Sequence, residues 1–189
     1  MTLAKRALRS EMFARRRTLT PEAREAAGAR VAELLARSAE FAAAQRIVMV
    51  AALASELPTA RIIEVALAAK KELLWPRAGA AGKIEVVPSG PHDGFVRDAA
   101  GVLAPPPEVR ACRLTLGDLL LVPGVAFTRR GARLGRGGGY YDRLLADAGG
   151  CLSVGLAFDI QLVDEIPTES HDREVDIVVT PSGIWRNTQ

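Results

Sequence analysis

Apolar residues recur at helical spacing over TLAKRALRSEMFARRR, where Leu3, Ala7, Leu8 and Met12 share one side and Lys5, Arg6, Arg9 and Arg15 to Arg17 take the remaining faces. A basic amphipathic helix is predicted. A second helix is predicted to start at Pro21, because Thr20 can cap free backbone N–H groups and proline suits a first helical position; it runs to about Arg37. The period then changes. RIVMVAAL (46–53) is short, apolar and β-branched, as a buried strand is, and a helix is predicted from about Thr59 to Lys71. ELLWPRA (72–78) supplies the next strand, so strand, helix and strand form a βαβ unit with parallel strands and a right-handed crossover. From GAAGK through VLAPPPEVR the chain is rich in Gly, Pro and isolated charges, with a short strand at Ile84 to Val87; a hairpin-like excursion around the sheet is predicted. LGDLLLVPG (116–124), CLSVGLAF and VDIVVTP complete the strands, and GGGYYDRLL starts a further helix.

The 189 residues, 49% hydrophobic and 25% charged, suit one globular domain spanning 1–189. A net charge of +3 with Arg and Glu interspersed and only 5% aromatics argues against a nucleic-acid surface and fits a small anionic ligand better. Cys112 and Cys151 form no CxxC pair and no apolar signal segment opens the chain, so a cytoplasmic protein without disulfides is expected. Glu40, Gln45 and Arg46 interrupt the Ala-rich stretch at 39–54, so no membrane span is expected.

Residues 135 to 143, GRGGGYYDR, stand out chemically. Glycines crowded there cost backbone entropy, and they let the backbone approach a phosphate with no Cβ in the way. The loop follows a strand end and carries Arg129, Arg130, Arg133 and Arg136, which can make charge-assisted hydrogen bonds to an anion. Two familiar phosphate loops are excluded. The Gly82-Lys83 pair is followed by Ile84 rather than Ser or Thr, and Gly137 is followed three residues later by Tyr140 rather than glycine. A plain solvent loop is the alternative, against which Tyr-Tyr-Asp is an ordered and chemically equipped continuation. Asp142 fits helix capping, or a magnesium ion bridging phosphate oxygens.

The segment PGVAFTRRGARLGRGGGYYDRLL closely resembles the signature of the 5-formyltetrahydrofolate cyclo-ligase (methenyltetrahydrofolate synthetase) family. KRALR near the start, SELPT after the first strand, WPRA, and GLAFDIQLVDEIPTESHDREVDIVVT occur in the family's order, so the resemblance covers nearly the whole chain. It implies an α/β fold: a single three-layer domain, with a central mainly parallel sheet flanked by helices, related to the ribose-phosphate isomerase and CoA transferase group. It implies ATP- and magnesium-dependent conversion of 5-formyltetrahydrofolate to 5,10-methenyltetrahydrofolate, in a monomer or dimer whose partners are a reduced folate and ATP.

By the same resemblance, Lys5, Arg6, Ala7, Leu8 and Arg9 would reach the nucleotide together with Arg133, Leu134, Gly135, Arg136, Gly137, Gly138, Gly139, Tyr140 and Tyr141. Ala51, Glu56, Gly138, Gly139, Tyr140 and Tyr141 would face the folate, Glu56 accepting hydrogen bonds from its pterin edge. Asp142 and Asp176 would hold Mg2+. The bland alternatives stay open: a solvated basic face for Lys5 and Arg9, a strand-entry residue for Asp176, a loop residue for Glu56, and core packing for the tyrosines. His171 and Asp172 also match a family element, whereas Trp75 and Trp185 are expected to pack. The chain departs from its relatives at Ala51, where several carry an aromatic residue, and at Ala104-Pro105, where many bacterial members have Glu-Pro. Those departures motivate a second reading, a folate- or nucleotide-binding relative without turnover.

Overall fold

The structure, a computed structural model, describes residues 2–79, 83–91 and 94–187. Helices α1 (Leu3–Arg17) and α2 (Pro21–Ala36) open it, each started by a threonine whose Oγ1 accepts a backbone N–H: Thr2 from Lys5 at 3.3 Å and Thr20 from Ala23 at 3.2 Å. A further short helix, α3 (Ala39–Ala43), is started by Ser38 and is too brief for periodicity to disclose.

Strand β1 spans Arg46–Val48, shorter than the predicted 46–53. Pairing persists through Met49 N to Leu74 O at 2.7 Å, and the chain then leaves the sheet. Helix α4 (Ala60–Ala68) ends three residues before Lys71 because the chain turns through Lys70 at φ 56°, where Lys71 N bonds Ala66 O at 2.9 Å. There follow β2 (Glu72–Ala78), β3 (Ile84–Pro88), the small hairpin β4 (Val96–Arg97) and β5 (Leu103–Ala104), and β6 (Asp118–Pro123). The predicted excursion is therefore a β3 edge strand plus a hairpin; its residues 80–82, including Gly82 of the Gly-Lys pair, lie outside the described residues. A second hairpin, β7 (Ala126–Phe127) with β8 (Arg133–Leu134), precedes α5 (Tyr140–Ala146), β9 (Leu152–Leu156), a 3-10 turn at Asp159–Gln161, β10 (Ile177–Thr180) and β11 (Gly183–Arg186).

The seven-stranded sheet runs β11-β10-β9-β6-β1-β2-β3, with its five inner strands parallel and both edges antiparallel. Parallel inner strands must be apolar on both faces. Accordingly Ile47, Leu119, Leu121 and Ile177 pack under α2, α3 and α4, while Val48, Leu120, Val122 and Val178 pack with Leu144 of α5 and Phe127 of β7. The result is helix, sheet and helix, as predicted. Met12 of α1 joins Val125, Ala126, Leu134 and Ile166 in a smaller cluster that fixes α1 against the β7–β8 hairpin.

Candidate active site at the strand ends

Parallel strands place all their C-terminal ends at one rim, and the loops leaving β1, β2 and β6 surround a cavity of about 460 Å3 there. Val50 and Ala51 line it beyond β1, Pro76 and Ala78 from β2, and Pro123 and Gly124 from the end of β6. The β4–β5 hairpin adds Asp98, Gly101 and Val102; Asp98 fixes this turn to β2, its Oδ2 accepting from Ala78 N at 2.7 Å. Nothing in the sequence flagged these hairpin residues, because their approach to the cavity depends on long-range packing.

The glycine loop closes the opposite side. Gly137 (φ 110°) and Gly139 (φ 65°) adopt left-handed conformations that residues with a Cβ rarely take. Two of its carbonyls are occupied by arginines: Arg9 Nε donates to Gly135 O at 2.8 Å and Arg143 Nη2 to Gly138 O at 3.1 Å. Among the described residues, none of the N–H groups of residues 136–139 donates a backbone hydrogen bond. Donors without acceptors are what an anion satisfies.

The four loop arginines separate by role. Arg129 and Arg130 are exposed at the far turn of the β7–β8 hairpin, where Arg129 lies 5.5 Å over the Trp185 ring. Arg133 is buried beneath the loop; its Nη2 donates to Asp142 Oδ1 at 2.6 Å and its Nη1 to Pro123 O at 3.4 Å. Arg136, with 52% of its side chain exposed, reaches across the cavity to Glu56 Oε1 at 3.3 Å. Glu56 is held in turn by Leu53 N, which donates to Oε2 at 3.1 Å. Tyr141 stands close enough to Glu56 that its hydroxyl, desolvated first and then repelled by that carboxylate, titrates well above the usual tyrosine range.

Of the residues predicted at the site, the cavity wall gathers Ala51 and Glu56, then Arg133, Gly135 and Arg136, and then Gly138, Gly139, Tyr140, Tyr141 and Asp142. The remaining ones are not in that wall. Lys5 is buried and pairs with Glu169 at 2.8 Å and Asp172 at 2.5 Å; burial opposes its charge, but these hydrogen bonds outweigh it and raise its pKa. Arg6 and Ala7 are exposed on α1, Leu8 and Leu134 belong to the α1 cluster, and Gly137 is exposed. Arg9 touches the loop from behind through Gly135. Asp176 precedes β10 and gives Oδ2 to Ser153, accepting from its N at 2.7 Å and its Oγ at 2.6 Å. Of the two departures from the family pattern, Ala51 lines the cavity, whereas Ala104 is buried in β5 and is not in its wall.

Asp142 spends Oδ1 on Arg133 and on Arg173 N at 3.2 Å, while Oδ2 has no hydrogen bond among the described residues. One free carboxylate oxygen beside bare N–H groups fits a hard cation that takes its other ligands from phosphate and water. No group of three or more His, Cys, Asp or Glu that could hold a metal unaided occurs among the described residues.

One buried charge runs against the sequence expectation. Arg16 sat within the run Arg15 to Arg17 and was placed on the solvated faces, yet it is only 1% exposed and lies directly behind Glu56. The signal was available: Arg16 is seven residues from Arg9 and four from Met12, on the side of α1 that faces the protein.

A parallel-rich α/β sandwich with a cavity at the strand ends, a glycine–arginine loop on one side of it and a carboxylate on the other, defines the class: an α/β protein with a candidate ligand site at the C-terminal rim of its sheet. Residues 1–181 match the family described as "5-formyltetrahydrofolate cyclo-ligase family", and the chain belongs to that family. It is similar to the 5-formyltetrahydrofolate cyclo-ligase of Escherichia coli (strain K12), 34% identical over 176 residues that cover 90% of this chain and 97% of the relative. The cyclo-ligase of Mycolicibacterium smegmatis is 46% identical over 78 residues, 41% of this chain and 40% of that protein. Among solved structures, the 5,10-methenyltetrahydrofolate synthetase of Aquifex aeolicus superposes with a TM-score of 0.84 at 28% identity, covering 99% of this chain and 94% of that one. A synthetase from Mycoplasma pneumoniae shares the fold, with a TM-score of 0.75 at 19% identity. Among the described residues no helix is long and apolar enough to cross a membrane.

Proposed function

We propose that this chain uses ATP to convert 5-formyltetrahydrofolate into 5,10-methenyltetrahydrofolate at the strand-end cavity. The observation that carries the reading is the opposition of Glu56 and the glycine–arginine loop across one 460 Å3 space, within a chain that belongs to the cyclo-ligase family. That volume lies in the range of small-ligand sites.

The chemistry explains why such a site needs no protein nucleophile. A formamide carbon is a weak electrophile, and ring closure must expel its oxygen, a poor leaving group as hydroxide. In this reading the formyl oxygen takes the γ-phosphoryl group and ADP departs. The folate N10 then bonds to the activated carbon and loses its proton, and the C–O bond breaks with release of phosphate. Such transfer depends on positioning and on neutralising negative charge. Arg136 and the bare N–H groups of the loop do both at the phosphates, and Arg9 holds the loop from behind. Glu56 accepts from the pterin edge, and Tyr140 and Tyr141 supply ring surface beside it. Magnesium would be held by Asp142 through Oδ2 and would neutralise phosphate charge; Asp176, engaged by Ser153 at the N-terminal end of β10, stands toward the opposite rim of the sheet and has no part in this reading.

The test is to mix purified protein with 5-formyltetrahydrofolate, ATP and Mg2+ and to follow the absorbance of the methenyl product. Product is expected, with a fall of about 100-fold in kcat for Asp142→Asn. Folate binding without product would instead favour the relative without turnover, a reading that Ala51 in the cavity wall keeps in play.

A further inference from the structure

The face that α1 turns toward the protein is charged. Lys5, Met12 and Arg16 are buried on it and Arg9 partly so; the intervals of four, three and four residues put all of them on one side of a helix. Each polar member grips a different segment. Lys5 holds Glu169 and Asp172, Arg9 holds the glycine loop through Gly135 O, and Arg16 Nη2 donates to Ser55 Oγ at 3.2 Å. At 1.5 Å per residue, the seven positions between Arg9 and Arg16 span about 10 Å, so one rigid helix sets the separation of the two sides of the cavity.

Arg16 is an expensive residue to bury. Only 1% of it is exposed, yet its Nε and Nη1 find no hydrogen-bond partner among the described residues. A methionine or leucine would fill such a place at lower desolvation cost. Packing alone therefore gives no reason for a guanidinium there, and its surroundings supply one. Ser55 immediately precedes Glu56, and the turn is tied by Glu56 N to Leu53 O at 2.7 Å and by Arg24 Nη1 to Ala54 O at 2.9 Å. Arg24 Nη2 also bonds Arg16 O at 3.0 Å, which locks α2 to the end of α1. Arg16 and Glu56 share a second cavity of about 10 Å3, room for about one water, walled by Val50, Pro123 and Gly124. Glu56 thus stands between two spaces, with the ligand cavity before it and Arg16 behind it. Burial depresses the guanidinium's pKa, and the charge of Glu56 opposes that depression.

We propose that Arg16 is a positioning residue for folate recognition: it grips the Ser55-Glu56 turn from behind and fixes the Glu56 carboxylate in the orientation presented to the pterin. This inference rests on the assignment of Glu56 to the folate in the function proposed above. It extends that assignment to a residue outside the ligand cavity.

The experiment measures dissociation constants for 5-formyltetrahydrofolate and ATP in separate titrations, together with thermal midpoints. Wild type, Arg16→Met, Arg16→Lys, Ser55→Ala and Glu56→Gln are compared. Arg16→Met is expected to weaken folate binding about tenfold, the loss of one charge-assisted contact, while ATP binding stays within about twofold. Ser55→Ala should shift folate in the same direction by about threefold, and Arg16→Lys should restore part of the loss. A folded Arg16→Met that binds folate like the wild type overturns the proposal. So does a parallel loss of both ligands with a lowered midpoint, which marks a merely structural role. Should Arg16→Met fail to fold, Ser55→Ala decides, because an unchanged folate constant in that variant overturns the proposal equally. Glu56→Gln separates the two layers: undiminished folate binding there defeats the assignment of Glu56 itself, whereas weakened binding beside a normal Arg16→Met defeats only the role of Arg16.

Discussion

The two rims of the sheet use the same residue types to opposite ends. At the N-terminal rim Arg46 forks onto Asp118, Nε to Oδ1 at 2.7 Å and Nη2 to Oδ2 at 2.6 Å, and Thr115 N adds a third donor at 2.7 Å. Nearby, Asp176 and Ser153 exchange hydrogen bonds, with Asp176 N donating to Ser153 Oγ at 3.0 Å. Each carboxylate there is matched within the protein, Asp118 by a guanidinium and Asp176 by the N–H and hydroxyl of Ser153, and these bonds close the register of β1 against β6 and of β9 against β10. At the C-terminal side, Arg9 Nη1, Arg16 Nε and Nη1, and Arg133 Nε are buried without acceptors among the described residues. Buried polar groups in native proteins are nearly always paired. These unpaired atoms, together with Arg24 Nε, are all donors, and of the four side chains Arg133 lines the cavity while the others stand in the layer behind its wall.

If that contrast is right, breaking the N-terminal rim should cost stability and spare chemistry. Asp118→Ala leaves Arg46 without its partner at a buried site and is expected to destabilise by about 3 kcal/mol, lowering the thermal midpoint by roughly 10 °C. Calorimetry measures the loss, and turnover per folded molecule at low temperature should stay at the wild-type level. A selective loss of turnover would erase the distinction between the rims. The opposite pattern is expected across the cavity. Arg136→Ala removes a half-exposed pair with Glu56, worth about 0–1 kcal/mol, so the midpoint should barely move. ATP affinity should nonetheless fall about tenfold, with folate affinity much less affected, because the contact proposed for Arg136 is with phosphate. Equal losses for both ligands in separate titrations would place Arg136 elsewhere.

How much of this was legible in the sequence follows the same division. The inner strands and main helices announce themselves through uninterrupted apolar runs and threonine caps, because burial on both faces leaves no freedom of composition. Edge strand β11 and the hairpins did not, since two to four residues with one exposed face carry no decisive period. The glycine loop stands out in the sequence as a candidate phosphate seat because so many glycines cost backbone entropy, and the structure places most of it in the cavity wall. Its four arginines looked equivalent, however, and only the β7–β8 hairpin, by reversing the chain, turns Arg129 and Arg130 away while burying Arg133 under Asp142. Arg16 was hidden by its neighbours: inside Arg15 to Arg17, charge alone argued for solvent, and only its position relative to Arg9 and Met12 argued for burial.

The smallest expected effect on ligand binding concerns Lys5, where the contrast between the rims is least sharp: its charge is fully paired, although Arg9 one turn along supports the loop. Burial would raise the pKa of Asp172, but the hydrogen bonds from Lys5 and from Glu169 N, together with the charge of Lys5, outweigh it and the net shift is downward; Glu169 is lowered chiefly by its own bond to Lys5. A carboxylate held below its unfolded value contributes stability that is complete above about pH 4 and is lost as pH falls through the depressed native value. Lys5 has the opposite sign: raised in the native state, it contributes fully below about pH 10 and the contribution disappears as pH rises through its native value. Lys5→Met removes both limbs, so its stability profile should be flatter than that of the wild type at the acid end and at the alkaline end, with the largest deficit between. Urea titrations at pH 3, 7 and 11 measure this. Parallel wild-type and variant profiles would show that the two carboxylates draw their stabilisation from elsewhere. If the flattening appears without any change in ATP affinity, Lys5 serves as the anchor of α1 rather than as a ligand contact, and the nucleotide side of the cavity reduces to Arg9, Arg136 and the loop.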